Sequence, residues 1–180
     1  MRNRTKLHAC SRPGDPRMNP GDKEILADFD RTREVTIQLL KNVPPALLKK
    51  KPKGEDAAIA FLFHHISAVV DGWMVSCMQD GGPPPDWNLK SAPSKPALLR
   101  HMQASRTRLL KFFNTRNGRA MSANFTRVRD GKTYRFVGRN RVVYLTGHES
   151  HHRGKIVLAL RQLGFTKIPF IPYPNVPVKK

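Results

Sequence analysis

Residues 146–164 read TGHESHHRGKIVLALRQLG and hold three of the chain's seven histidines within five positions. Leu145, Ile156, Ala159 and Leu163 recur at helical spacing. The stretch therefore predicts a final helix over about 139–163, closed by Gly164 as a C-terminal cap. His148 and His152 stand at i and i+4 on that apolar face, one turn apart, where two imidazoles can grip one metal ion. His151 is turned about 100° from His152 and belongs at the edge of the site or on the surface.

Taken literally, HESHH satisfies the H-E-x-x-H pattern of zinc proteases, with Glu149 as general base. The continuation argues against that reading. After His152 the chain contains no His, Glu or Asp to serve as a third ligand. The third ligand must come from upstream, where FLFHHISAVV places His64 and His65 in an apolar helix. A buried histidine there needs a partner for its ring nitrogens. Either histidine can face the core, and two helices presenting inward histidines are how bundle cores build metal sites. Three neutral imidazoles leave a coordination position open, which marks a catalytic rather than a purely structural site.

The remaining pattern is helical. Residues 20–43 carry Leu26, Phe29, Thr36, Leu40 and Val43 at three- and four-residue spacings, and Pro44-Pro45 ends that helix. A linker follows, and then a second helix over 55–79. Its predicted stripe is Ala58, Leu62, His65, Val69, Gly72 and Trp73, with Trp73 as core or pocket wall. GGPPPDW at 81–87 is a loop. A third helix covers 98–114, with Leu98, Met102, Leu109, Phe112 and Phe113 as core positions. Residues 119–138 alternate around Asp130-Gly131 and predict a short irregular hairpin or an extended linker before the last helix. Four amphipathic helices with one longer crossover predict an all-α four-helix bundle over 20–166. Residues 1–19 read as a disordered basic extension, with Met18 as an alternative start. Residues 167–180 read as an extended proline-rich tail.

The chain has 180 residues, 39% hydrophobic, with a net charge of +20. Residues 1–94 carry 14 basic and 11 acidic side chains, whereas 95–180 carry 19 basic side chains against only Asp130 and Glu149. Such a half attracts anions. The basic residues are scattered, with few aromatics between them and no recognition motif, so nucleic acid is not the favoured partner. No apolar run approaches a membrane span, and the basic N-terminal stretch, lacking an apolar h-region, does not read as a signal peptide. Cys10 lies in the loose N-terminal segment, so a structural disulfide is not expected and a reducing cytoplasm is the default location. Cys77 lies about 18 Å along the helix from His65, too far for the same ion, and reads as a small buried hydrophobe.

HESHHRGKIVLALRQLG resembles the C-terminal signature of the DinB/YfiT-like superfamily, H-x-x-x-H-R-G-Q-I. LFHHISAVVDGW resembles that family's other hallmark, a histidine followed by an aliphatic residue and, eight positions on, an aromatic. This spacing selects His65, with Ile66 and Trp73, over His64. The resemblance covers roughly 22–166 and implies an up-down-down-up four-helix bundle. It implies a divalent ion, nickel or zinc first, held by His65, His148 and His152. It further implies a small-molecule substrate and, as the first activity, thiol-dependent S-transfer with a low-molecular-weight thiol as co-substrate. The alternatives are a metal-dependent hydrolase of the same fold, or a non-enzymatic basic protein binding nucleic acid or another polyanion. The family name refers to a damage-inducible gene and does not imply DNA binding. The family's Gln after Arg-Gly is Lys155 here, which bears on the local network and not on the ligands.

Beside the ligands, Glu149 is expected to stand behind the site or to pair with a basic neighbour. Arg153 is expected in an inter-helix ion pair or cap, with substrate binding as its lesser role, as for Trp73. Gly154 is expected to allow close helix approach. The bundle faces also allow a homodimer.

Overall fold

The computed structural model describes residues 18–54, 56–115 and 118–168. The extension expected over 1–19 lies outside the described residues as far as 17, and the tail expected over 167–180 lies outside them from 169.

Among the described residues, six helices and one hairpin follow in the order α1 (Pro20–Asn42), α2 (Pro45–Leu48), α3 (Ile59–Ser76), α4 (Lys95–Thr115), α5 (Arg119–Ser122), β1 (Asn124–Arg129), β2 (Lys132–Val137) and α6 (Gly138–Gln162). Local chemistry sets the boundaries. The Asn19 side chain caps α1 by accepting from the Asp22 amide at 2.8 Å, and Pro20 occupies the first turn, where its missing N–H costs nothing. Val43 is extended ahead of Pro44 and ends that helix. The Gly164 amide donates to the Arg161 carbonyl and the Phe165 amide to that of Leu160, with Gly164 at φ +81°, so the predicted cap closes α6.

The four long helices pair as a ring. Along α1 and α6 the partners advance together: Asp22 with Arg139, Arg33 with Glu149, Thr36 with Arg153. These helices are therefore parallel. His64 meets His101 and Asp71 meets Arg108, so α3 and α4 are parallel as well. The partners run in opposite senses between α3 and α6, with His65 by His152 and Trp73 by Tyr144. They do so again between α1 and α4, with Asp30 bound to Arg106 and the Val43 carbonyl to Lys95. The sense of the bundle is up, down, down, up.

Three predicted boundaries change. Helix α3 is shorter than 55–79 at both ends, because Ala58 is extended and Gln79 takes a positive φ of 48°. The linker after Pro44 contains the one-turn α2, which buries Leu48. The segment before α6 is more regular than predicted. After α5, two six-residue strands pair antiparallel from Asn124↔Val137 to Arg129↔Lys132 around a two-residue turn. Asp130 (φ 51°) and Gly131 (φ 71°) supply the left-handed geometry that such a turn requires.

The apolar core is split into two clusters. One gathers Leu40, Val43, Ile59, Phe63, Ile66, Met102 and Ile156; the other gathers Phe29, Val70, Met74, Leu109, Phe113, Met121 and Val142. Between them lies a buried polar layer of Thr32, Arg33, Thr36, Ser67, Ser105 and Glu149. The predicted core positions on α1 and α4 are all buried. On α3 the stripe is rotated from the prediction. Ile59, Phe63, Ile66, Val70 and Met74 are buried, whereas His65, Val69, Gly72 and Trp73 are only partly so. Helix α3 is apolar almost all round, so its composition does not orient it. At 18 residues and mean hydropathy 1.3 it is long and apolar enough to cross a membrane by composition, contrary to the sequence expectation, yet 61% of it is buried inside the bundle.

Candidate metal centre

His65 projects from the middle of α3, and His148 and His152 from successive turns of the antiparallel α6. One ring nitrogen from each histidine lies within 4.8 Å of the other two. The ring centroids stand 5.2 Å apart for His65 and His148, 4.6 Å for His65 and His152, and 4.4 Å for His148 and His152. The structure thus brings together the three histidines singled out in the sequence. The i,i+4 pair is fixed by helix geometry, and the third ring arrives through the packing of α3 on α6.

The electrostatics favour neutral rings. Burial first, and then the neighbouring histidines, push His148 and His152 down to about 4. Burial likewise lowers His65, helped by His64 and Lys155. Neutral imidazole is the form that donates a lone pair to a metal. The Nδ1 of His152 is buried with no hydrogen-bond partner among the described residues, a costly arrangement for a polar atom in a protein interior. No carboxylate joins the cluster among the described residues. This donor set fits a divalent transition metal, and imidazole alone does not choose among zinc, nickel, copper and iron.

The other residues sort themselves around the cluster. His64 is excluded from it: its Nε2 donates to the Asp86 carbonyl at 2.9 Å, and its ring faces His101, which bonds Asp71. His151 is exposed at the rim, 5.2 Å from the His152 ring. Glu149 turns about 100° away from His148 round α6, toward the centre of the bundle, and its Oε2 accepts from Arg33 Nε at 2.9 Å. Of the two expectations for Glu149, pairing with a base is the one found, although the base comes from α1. Arg153 donates to the Thr32 carbonyl and the Thr36 hydroxyl on α1, an inter-helix tie rather than an ion pair. Gly154 is exposed, and a Cβ there would meet nothing within 4 Å. The expected close helix approach is therefore corrected: this position faces outward, away from the neighbouring helices. Cys77 is buried, as expected, and burial raises its thiol pKa.

Two aromatic residues that the sequence reading passed over flank the cluster. Tyr144 lies one turn before His148, with ring centroids 5.9 Å apart, and its place at i−4 on the ligand stripe was a usable signal. Trp87 reaches over from the proline-rich loop to stand 6.4 Å from His65. Gly72 makes room for it, because a Cβ there would stand 2.8 Å from Trp87 Cζ2.

Residues 28–156 match the family model of the DinB superfamily. A DinB-like protein from Bacillus cereus superposes with a TM-score of 0.65 at 15% identity, over 83% of this chain and 96% of the other. A candidate member of the DinB family from Exiguobacterium sibiricum superposes with a TM-score of 0.59 at 12% identity, over 87% of this chain and 99% of the other. At these identities the likeness is one of fold. No curated protein matches the chain.

Proposed function

The chain belongs to the DinB superfamily, and on that footing we propose that it is a divalent-metal-dependent enzyme transferring a small thiol to an electrophile. The observation that carries this reading is the convergence of His65, His148 and His152, neutral at physiological pH and without a carboxylate among them. These three residues would hold the ion. A divalent ion held by three imidazoles supplies Lewis acidity at an open position, where it lowers the pKa of a bound thiol or water.

The chain's own residues favour a thiol over water as nucleophile. Glu149, the one carboxylate adjacent to a ligand in sequence, is 1% exposed and committed to Arg33, so it is not placed to take a proton in the site. A thiol starts with a pKa near 8.5 and needs little help to ionise, whereas water depends far more on a base or metal. Trp87 and Tyr144 supply flat apolar surfaces on two sides of the cluster and would restrict the access of bulk water. Nickel and zinc are the first metals to test. Hydrolysis is the second activity to assay.

Elemental mass spectrometry of tag-free protein tests the site. About one ion per chain is expected in the wild type, and its loss in His65→Ala, His148→Ala and His152→Ala. His64→Ala and His151→Ala should retain it. Absence of an ion in the wild type, even after reconstitution with nickel or zinc, would refute the metalloenzyme reading. Thiol consumption with electrophilic substrates, measured on loaded protein, then separates transfer from hydrolysis.

A further inference from the structure

A second polar cluster lies beyond Tyr144, at the hairpin end of the groove between α3 and α6. The Arg141 guanidinium carbon stands 3.5 Å from the centroid of the Trp73 ring, 4.4 Å from that of Phe136 and 4.7 Å from that of Tyr144. Arg127 of β1 approaches the same Trp73 ring at 4.9 Å. Two guanidinium groups thus share one indole.

Neither has an acidic partner among the described residues. Arg33, Arg106, Arg108 and Arg139 each reach a carboxylate. The groups whose charges bear on Arg141 are Cys77, Tyr144 and Arg127, and Arg127 repels it. The Nε of Arg141 is buried with no hydrogen-bond partner among the described residues. Stacking on aromatic rings occupies the faces of a guanidinium and leaves its in-plane N–H donors free. Two like charges, partly desolvated and side by side, are unfavourable until an anion joins them. Their donors suit the oxygens of a carboxylate or phosphate, which guanidinium binds in bidentate fashion.

We infer that Arg127 and Arg141, set on Trp73, form a binding site for the carboxylate or phosphate group of a small molecule. Arg141 precedes His148 by seven residues, about 10 Å along α6, and Tyr144 bridges the interval. As the anchor of a substrate, this site rests on the metal-centre reading above, and it selects substrates whose anionic group lies about 10 Å from the reacting atom. As an anion site it stands independently of that reading.

The test is a titration of the full chain, carrying Trp87→Phe so that Trp73 alone reports, with inorganic phosphate and separately with succinate. Ionic strength is held constant with sodium chloride. A saturable change in Trp73 emission is expected with at least one of the two anions, and the stronger response assigns the group as phosphate or carboxylate. Arg127→Gln and Arg141→Gln should each weaken binding about tenfold or more. Arg141→Lys keeps the charge and loses the fork, so it should weaken binding while preserving the fold. Arg135→Gln, on the other face of the hairpin, should bind as the parent does.

A response that does not saturate, or that persists unchanged in Arg127→Gln, overturns the proposal. So does a response lost in His148→Ala, since the anion would then be bound at the histidines. Saturable binding kept in His148→Ala supports the anion site, and metal analysis of that same variant judges the histidine site separately.

Discussion

His148 and Glu149 are neighbours in sequence, yet they serve two different kinds of polar cluster. Turned about 100° apart on α6, one faces the groove against α3 and the other the centre of the bundle. On the central side the charges pair with one another, although Arg33 Nη2 and Glu149 Oε1 find no hydrogen-bond partner among the described residues. Glu149 takes the Nε of Arg33, whose Nη1 donates to Ser67 at 3.0 Å and Ser105 at 2.9 Å, so a single guanidinium ties all four long helices. Arg33 is fully buried and Glu149 nearly so. On the groove side three half-buried imidazoles face each other with no acid among the described residues to bind them. A cluster that satisfies its own charge holds the bundle together, whereas a cluster of neutral lone pairs is completed by something from outside.

The contrast can be broken hardest at Glu149. Glu149→Ala leaves Arg33 charged and buried, which should cost about 3–5 kcal/mol in chemical denaturation. The double variant Arg33→Met/Glu149→Leu should recover most of that loss, because replacing a buried ion pair by apolar side chains is often neutral or better. A double variant as unstable as the single one would show that the pair's worth lies in its hydrogen bonds rather than in cancelled charge.

The histidine side should behave in the opposite way. His148→Ala should change the stability of metal-free protein little and abolish the stabilisation by added ion. That stabilisation is about 2.7 kcal/mol for the wild type at a hundredfold excess over Kd. Thermal melts with and without nickel or zinc measure the difference.

A smaller effect is expected at Ser67. Ser67→Ala removes one hydrogen bond to a charged group and should cost about 1.5–3 kcal/mol, with metal content unchanged. A loss of metal in this variant would mean that the two clusters are mechanically coupled through α3.

A probe that needs no substitution is pH. His148 and His152 titrate at about 4 in the folded chain, below their ordinary 6.5, because burial disfavours the charged rings. As pH falls through this window the unfolded chain takes up protons first. The stabilisation of the neutral rings is therefore fully present above 6.5 and is lost by about 4. The Tm of metal-free protein should fall across that range, with a shallower slope in His148→Phe.

The sequence by itself determined the four long helices, the cap at Gly164, the turn at Asp130-Gly131 and the pairing of His148 with His152. These features depend on neighbours within a few residues, so helical periodicity and turn chemistry suffice to fix them. From the residues alone His64 and His65 stayed open, and only the resemblance to the family's hallmark singled out His65. Other features were settled only by tertiary structure. Arg33 finds Glu149 across 116 residues, and nothing within α1 distinguishes it from a surface arginine except its place one turn after Phe29. Helix α3 is too uniformly apolar to announce which side faces the core, so the rotation that leaves His65 and Trp73 at its edge came from packing against α4 and α6. Gly154 turned outward and Arg141 turned onto Trp73 for the same reason: a side chain's surroundings are set by which helices meet, and no local pattern encodes that meeting.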